Sequence, residues 1–281
     1  MSVSIENRVF LVTGANSGIG KATALGLARL GGTVVMACRD ATRGEAARQE
    51  IIRESGNPRV SLEIVDLASE ASTRSLAEAF PRKYPRLDVL INNAGVYTSH
   101  REITPDDLER QFEVNYLSGF LLTHLLLDLL KKSAPSRIVN VSSSAHGPSA
   151  IHFDDLQGER RYSGYRAYGQ SKLAQILFTR ELAHHLEGTG VTVNACHPGV
   201  IRTNLGIGGA SVVVRFVRMF FKGPAKGAET PIFLATSPDV EGVTGKYFAN
   251  KRVRTPSVAA QDPDAARRLF DVSMELSHLT G

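Results

Sequence analysis

A chain of 281 residues, 42% hydrophobic and 22% charged, can bury a sizeable core in one α/β domain, and this composition excludes disordered, collagenous and disulfide-stapled classes. Its 33 basic and 28 acidic residues are mixed along the chain, so the net charge of +5 marks no clustered basic face for nucleic acid. The two cysteines, Cys38 and Cys196, each sit inside an apolar run, which fits buried thiols in a reducing compartment.

Apolar and β-branched runs at 9–13, 33–38, 60–65, 89–92, 137–142 and 191–196 read as strands. Between them, 19–30, 41–54, 70–80, 106–130 and 165–186 carry helical periodicity. Strand alternating with helix predicts a parallel sheet covered on both faces, whose strands are apolar throughout, as VFLV, VVMA and IVNV are. After Cys196 come a glycine-rich segment, a helix from near Ala225, a short strand near Tyr247 and a last helix from about Asp264. No repeat or linker divides the chain, so a single doubly wound α/β domain is expected over 1–281. No run reaches the roughly 18 apolar residues of a spanning helix: 117–130 contains His124 and Asp128, and 212–221 contains Arg215 and Arg218. The first strand begins near Arg8 with no basic-then-apolar leader before it, so a soluble, cytoplasmic protein is expected.

Thr13-Gly14-Ala15-Asn16-Ser17-Gly18-Ile19-Gly20-Lys21 carries the first strand into the first helix through three glycines. Such a turn brings backbone N–H groups and a helix N-terminus onto a pyrophosphate, where a Cβ would obstruct the approach. At the end of the second strand an acid would bind a ribose 2′-OH and a base a 2′-phosphate. Cys38 takes the acid's place and Arg39 follows it, which favours NADP(H) over NAD(H); a slip of one residue would put Asp40 there instead. Tyr168 and Lys172 lie four apart on the predicted helix and share a face. At about 5 Å and an effective dielectric near 20, the ammonium is expected to favour tyrosinate by roughly 3 kcal/mol, on the order of two pKa units.

With these motifs the sequence resembles the short-chain dehydrogenase/reductase family over nearly its whole length. The landmarks, in order, are the Thr13 to Gly20 turn, Asp66 after the third strand, Asn92-Asn93-Ala94-Gly95 after the fourth, Asn115 in the long helix, Ser142-Ser143-Ser144 ending the fifth, Tyr168 with Lys172, and Pro198-Gly199 with Thr203 after the sixth. The resemblance implies a Rossmann fold of about seven strands, with a cofactor half over 1–135 and a catalytic and substrate half over 136–281. It also implies a tetrad of Asn115, Ser143, Tyr168 and Lys172, with Ser143 chosen by its place three after Asn140 and either neighbouring serine an alternative. In reduction, Tyr168 would protonate the alkoxide that hydride transfer forms, Ser143 would donate to the same oxygen, Lys172 would acidify the phenol and bind ribose, and Asn115 would hold a relay water. The cofactor residues implied are Gly14, Asn16, Ser17, Gly18, Ile19, Gly20, Arg39, Asp66, Leu67, Asn92, Ala94, Gly95, Tyr168, Lys172, Pro198, Gly199 and Thr203. Of these, Asp66 would bond adenine, Asn92 and Gly95 would line the adenosine side, and Thr203 would bond the carboxamide. Locally, Asp66 could instead cap the following helix and Asn92 could satisfy a turn. No metal is implied.

The long separation of Ser143 from Tyr168, filled by 145–166, together with Cys196-His197-Pro198-Gly199-Val200, resembles the branch of retinol dehydrogenases and the oxidoreductase with paired WW domains. That resemblance implies lipid-derived carbonyls such as retinoids, steroids or fatty aldehydes, usually with NADP(H), and a homodimer or homotetramer through the long helices. Animal members of the branch often carry an N-terminal membrane anchor, and none is read here. The segment 205–222 is expected to form a substrate lid with hinge glycines. As a helix it would set Arg215, Arg218 and Lys222 opposite Val213, Phe216, Val217 and Phe220, a stripe suited to peripheral contact with anionic membrane. Two other classes are weighed: a non-catalytic dinucleotide sensor, and a sugar-nucleotide epimerase or dehydratase, which spaces its glycines differently.

Overall fold

The computed structural model describes residues 5–199 and 223–279. Eight strands form one sheet in the order β3-β2-β1-β4-β5-β6-β7-β8. They are β1 (Val9–Thr13), β2 (Thr33–Cys38), β3 (Val60–Ile64), β4 (Val89–Asn92), β5 (Ser136–Val141), β6 (Val191–His197), β7 (Tyr247–Ala249) and β8 (Arg252–Val253). The first seven pair in parallel and β8 returns antiparallel to β7, one short strand beyond the seven expected. The two residues of β8, Arg252 and Val253, are both exposed and too few to make an apolar run that announces it.

Side chains alternate across the sheet and fill two cores. Phe10, Val12, Val34 and Met36 meet α1 (Gly18–Arg29), α2 (Ala41–Ser55) and α8 (Pro224–Thr236) on one face. Val9, Leu11, Val35 and Ala37 meet α3 (Glu70–Lys83), α5 (Ser118–Leu125), α7 (Gly164–His185) and α9 (Pro263–Leu276) on the other. Chain ends are capped by local chemistry: Asp40 accepts from the Arg43 N–H at 2.9 Å to start α2, and Asp262 accepts from Asp264 and Ala265 N–H groups to start α9 behind Pro263.

The helix expected over 106–130 is divided. It begins at α4 (Arg110–Phe112), passes through a π turn (Glu113–Leu117) into α5, and restarts as α6 (Leu127–Lys132). Periodicity alone does not reveal the wide turn, which places Asn115 at its centre; such bulges are frequent at functional sites. One face of α7 is covered within the chain by α9, whose Phe270 stacks on His185 at 4.6 Å and packs edge-on to Phe120 at 5.3 Å. The 145–166 segment is built rather than slack. Tyr162 donates to the buried Glu109 at 2.9 Å, Gln170 donates to the Leu156 carbonyl at 2.9 Å, and Arg268 lies 4.2 Å from the Phe153 ring.

Candidate active site

The sheet order reverses between β1 and β4, and the cleft opens at the carboxyl ends of these strands, where open α/β sheets bind ligands. It encloses about 690 Å³. At its floor Thr13 Oγ accepts from the Asn93 and Ala94 N–H groups, both at 3.0 Å, and the Asn93 amide donates to the Thr13 carbonyl at 2.8 Å, which ties β1 to β4. Against this tie lies Gly20, where a Cβ would stand 2.3 Å from the Gly14 carbonyl oxygen and 2.4 Å from Asn93 Nδ2. Gly14 itself has φ +65 and would set a Cβ 2.9 Å from the Ala94 Cα. Ser17 precedes α1 without a side-chain cap, and the first turn of α1 holds no acid, so its amide N–H groups are left facing the cleft beside Asn16, Gly18 and Ile19.

On the β2 side Cys38 is buried and protonated, its thiol pushed up to about 11 by burial. Arg39 and Arg43 are exposed and line the cleft. Asp40 lines the cleft as well, its Oδ1 accepting the Arg43 N–H as the cap of α2. Asp66 and Leu67 also line the cleft. The carboxylate of Asp66 accepts from the Ala68 N–H at 3.0 Å, while Ser69 caps α3, so Asp66 is not the helix cap. Ala94, Gly95, Pro198 and Gly199 reach the same cavity.

Asn92 does not. It is 5% exposed, and its amide donates to Thr123 Oγ at 3.0 Å and Asn140 Oδ1 at 2.9 Å. Asn140 continues to Thr179 Oγ at 2.9 Å, so the pair ties β4 and β5 to α5 and α7 behind the site. Alternation along β4 turns Asn92 toward these helices, and Asn93, one residue on, takes the cleft position. The sequence reading also missed Arg43, Val96, Tyr97, Arg110 and His197 as cleft residues. Their common signal is position, each following or facing a strand end.

The three serines after β5 separate by environment. Ser142 is buried and donates to the Lys172 carbonyl at 2.7 Å, and Ser144 is exposed. Ser143 lies on the cleft wall beside the Tyr168 phenol. Tyr97 stands edge-on to Tyr168, with centroids 6.0 Å apart. Asn115 is 2% exposed; its Oδ1 accepts from the Val96 N–H at 2.7 Å and its amide donates to the Val96 carbonyl at 3.0 Å and to Ser171 Oγ at 3.0 Å. The π turn thus clamps the loop that follows Gly95.

The expected effect of Lys172 on the phenol is not what this geometry gives. Burial raises the Tyr168 pKa above its ordinary value, and the nearby Ser143 hydroxyl pulls it partly back. Lys172 Nζ is 5.7 Å from the Tyr168 ring centroid and turns instead to the Val141 carbonyl at 3.0 Å and Gln175 Oε1 at 3.1 Å. Its own pKa falls to about 8 through burial. In the unfolded chain the ammonium titrates near 10.4, so burying it costs stability in full below pH 8, and the cost is relieved as pH rises from about 8 to about 10.4. Lys172→Met is expected to melt higher than the parent at pH 7, with the gap narrowing above pH 8; thermal scans of the two proteins across this range check it. A constant gap would remove the charge from the explanation.

The short chain dehydrogenase family model matches residues 8–208. This chain belongs to the short-chain dehydrogenases. Retinol dehydrogenase 13 of Mus musculus is 47% identical over 97% of this chain and 84% of its own length, and retinol dehydrogenase 14 of Homo sapiens is 47% identical over 96% and 86%. Among solved structures, an uncharacterized protein from Mycobacterium paratuberculosis is 33% identical, with TM-score 0.81 over 99% of this chain and 96% of that one. A short chain dehydrogenase from Shigella flexneri, complexed with NADP, is 26% identical, with TM-score 0.70 over 90% and 100%. As a short-chain dehydrogenase the chain is an oxidoreductase of the nicotinamide-dinucleotide class. The cleft fits that group, because a Cβ at Gly20 would close the cradle that the α1 amides face. Thr203 and the 205–222 segment lie outside the described residues, and among those described no helix is long and apolar enough to cross a membrane.

Proposed function

We propose that this dehydrogenase interconverts a lipophilic aldehyde or ketone and its alcohol with NADP(H), a retinoid being the first substrate class to test. The observation that carries the reading is the convergence of Tyr168 and Ser143 on one wall of the cleft whose opposite end is the glycine cradle. The similarity to retinol dehydrogenases supports the substrate class, and the basic pair at the end of β2 supports NADP(H).

In this reading the dinucleotide is held by the α1 amides at Asn16 to Gly20 and by Asp66, Leu67, Ala94, Gly95, Pro198 and Gly199, with Lys172 at the nicotinamide end. When bound it supplies or accepts the hydride. Tyr168, kept protonated by burial, gives its proton to the carbonyl oxygen in reduction and recovers it in oxidation. Ser143 donates to the same oxygen and stabilises the charge that forms there. Lys172 holds Val141 and the α7 backbone in register beneath them, and Asn115 fixes Val96 opposite. The substrate is taken by the 136–281 half.

Purified protein incubated with NADPH or NADH and a panel of all-trans-retinal, medium-chain aldehydes, quinones and steroid ketones tests the reading. Fastest turnover of a long apolar carbonyl with NADPH is expected, and turnover confined to small polar carbonyls would overturn the substrate class. Arg39→Asp replaces attraction with repulsion at the 2′-phosphate, so the NADPH to NADH ratio of kcat/KM is expected to fall at least about tenfold. An unchanged ratio would assign the phosphate to another basic residue, Lys21, which pairs with Glu50 at 2.6 Å, or Arg43, which lines the cleft.

A further inference from the structure

The turn that carries Ser143 is gripped by two histidines to which the chemistry above gives no part. His146 is 5% exposed. Its Nδ1 lies 2.6 Å from the Ser143 carbonyl oxygen, and its Nε2 lies 3.3 Å from the Ser257 amide nitrogen. A carbonyl only accepts and an amide N–H only donates, so the ring is neutral with its proton on Nδ1. It stands edge-on to Tyr247 of β7, with centroids 4.9 Å apart. On the other side of the turn, His197 at the end of β6 accepts the Ser144 N–H on its Nδ1 at 3.2 Å. Ser143 Oγ meanwhile accepts from the Ala145 N–H at 3.2 Å, so the direction of the hydroxyl is set by the geometry of this turn.

We propose that His146 is a positioning residue for the reaction: by joining the Ser143 carbonyl to the Ser257 amide it holds the Ser143 hydroxyl toward the oxygen that Tyr168 protonates, and it does so only in the neutral Nδ1–H form. The inference rests on the reading of Ser143 as donor to that oxygen. The titratable groups beside the ring are His197 and Tyr247, and its two hydrogen-bond partners are both backbone groups. A second ring proton would point at the Ser257 N–H, donor against donor, and burial opposes the charge as well. The tie also explains why the loop after β8 is drawn against the catalytic wall. Ser257 lies four residues beyond the end of β8 and contributes the amide that fixes the tautomer.

Four variants, assayed with NADPH and the best carbonyl of the panel, separate the possibilities. Ser143→Ala is expected to lose about 100-fold or more in kcat. His146→Leu is expected to lose about 10- to 100-fold in kcat, with KM for the carbonyl and affinity for NADPH within about threefold of the parent. His146→Asn, whose amide can donate from the place of Nδ1, is expected to recover most of that loss. Ser257→Pro suits the φ of −59 and removes the amide donor, so Nε2 becomes free to take a proton and the acid limb of kcat moves to higher pH. Independently of turnover, nitrogen NMR of histidine-labelled protein is expected to show two buried imidazoles held as Nδ1–H where exposed rings are already charged, His124 on the Phe120 carbonyl and His146 on that of Ser143, with only the second signal lost in His146→Leu.

Loss of activity in Ser143→Ala with near-parental kcat in His146→Leu would overturn the positioning role and leave the reading of Ser143 intact. Near-parental kcat in Ser143→Ala would overturn that reading itself. His146→Asn as impaired as His146→Leu, kcat and NADPH affinity falling together, an unmoved acid limb in Ser257→Pro, or an Nε2–H tautomer in the signal that His146→Leu removes would each return His146 to core packing.

Discussion

Replacing Tyr168 with phenylalanine is expected to lower kcat by about 100-fold or more while leaving NADPH affinity nearly unchanged. The phenol is the one group on the catalytic wall placed beside Ser143 and kept protonated by its surroundings, so its removal takes away the proton donor and little else. The ring itself remains to pack edge-on against Tyr97, which argues against collapse of the site in the variant. Stopped-flow reduction of the best carbonyl, with a parallel fluorescence titration of NADPH, measures the two quantities separately. Retained turnover would remove Tyr168 from the chemistry and with it the proposed mechanism. The raised pKa adds a direction: because Tyr168 acts as an acid, reduction is expected to hold across neutral pH and to fail only on the alkaline side, whereas oxidation gains there.

Gly20→Val is expected to weaken NADPH binding by more than about 100-fold and to lower the melting temperature. The added Cβ would stand 2.3 Å from the Gly14 carbonyl oxygen and 2.4 Å from Asn93 Nδ2. Neither atom is the free end of a flexible side chain. Gly14 is fixed by its N–H to the Ala37 carbonyl at 2.8 Å, and the Asn93 amide by its bond to the Thr13 carbonyl. Relief therefore means displacing the turn from α1, which removes the amides from the place where the pyrophosphate would sit. Circular dichroism is expected to keep the α/β signature because, of the turn's residues, the two hydrophobic cores take in Ala15 alone. A variant that binds NADPH like the parent would show that the cradle yields, and would weaken the assignment of the cleft.

The strands and most helices were legible because each is a local statement. VFLV, TVVMAC and SRIVNV are buried on both faces and so need no partner to be recognised, and Asp40, Ser69 and Asp262 sit where helix caps belong. The glycine turn was legible for the same reason, since φ values and close approach restrict residue type one position at a time. Ser143, Tyr168 and Lys172 could be named from spacing and resemblance, and the structure brings all three to one place. Which way each side chain turns was not written locally. Asn92 and Asn93 are adjacent and chemically identical, yet one ties β4 to β5 behind the sheet and the other closes the floor of the cleft. The pleat decides this, and the pleat's phase is fixed by the neighbouring strands.

Charge behaviour was likewise a property of the assembled site. A helix spacing of four residues predicted a Lys172 that acidifies Tyr168, but the ammonium found two acceptors of its own, and burial, which no spacing encodes, dominates both groups. The sequence by itself determined the alternation of elements, the phosphate-binding turn, the tyrosine and lysine on one helix face and the basic end of β2, because each depends on residues within a few positions of one another. Only the tertiary structure decided the eighth strand, which exists only as an edge added to β7, and the π turn that aims Asn115, the covering of α7 by α9 and the bridge from Ser143 through His146 to Ser257, because these last three join residues from 19 to 111 positions apart whose desolvation and hydrogen bonds exist only once the sheet has closed.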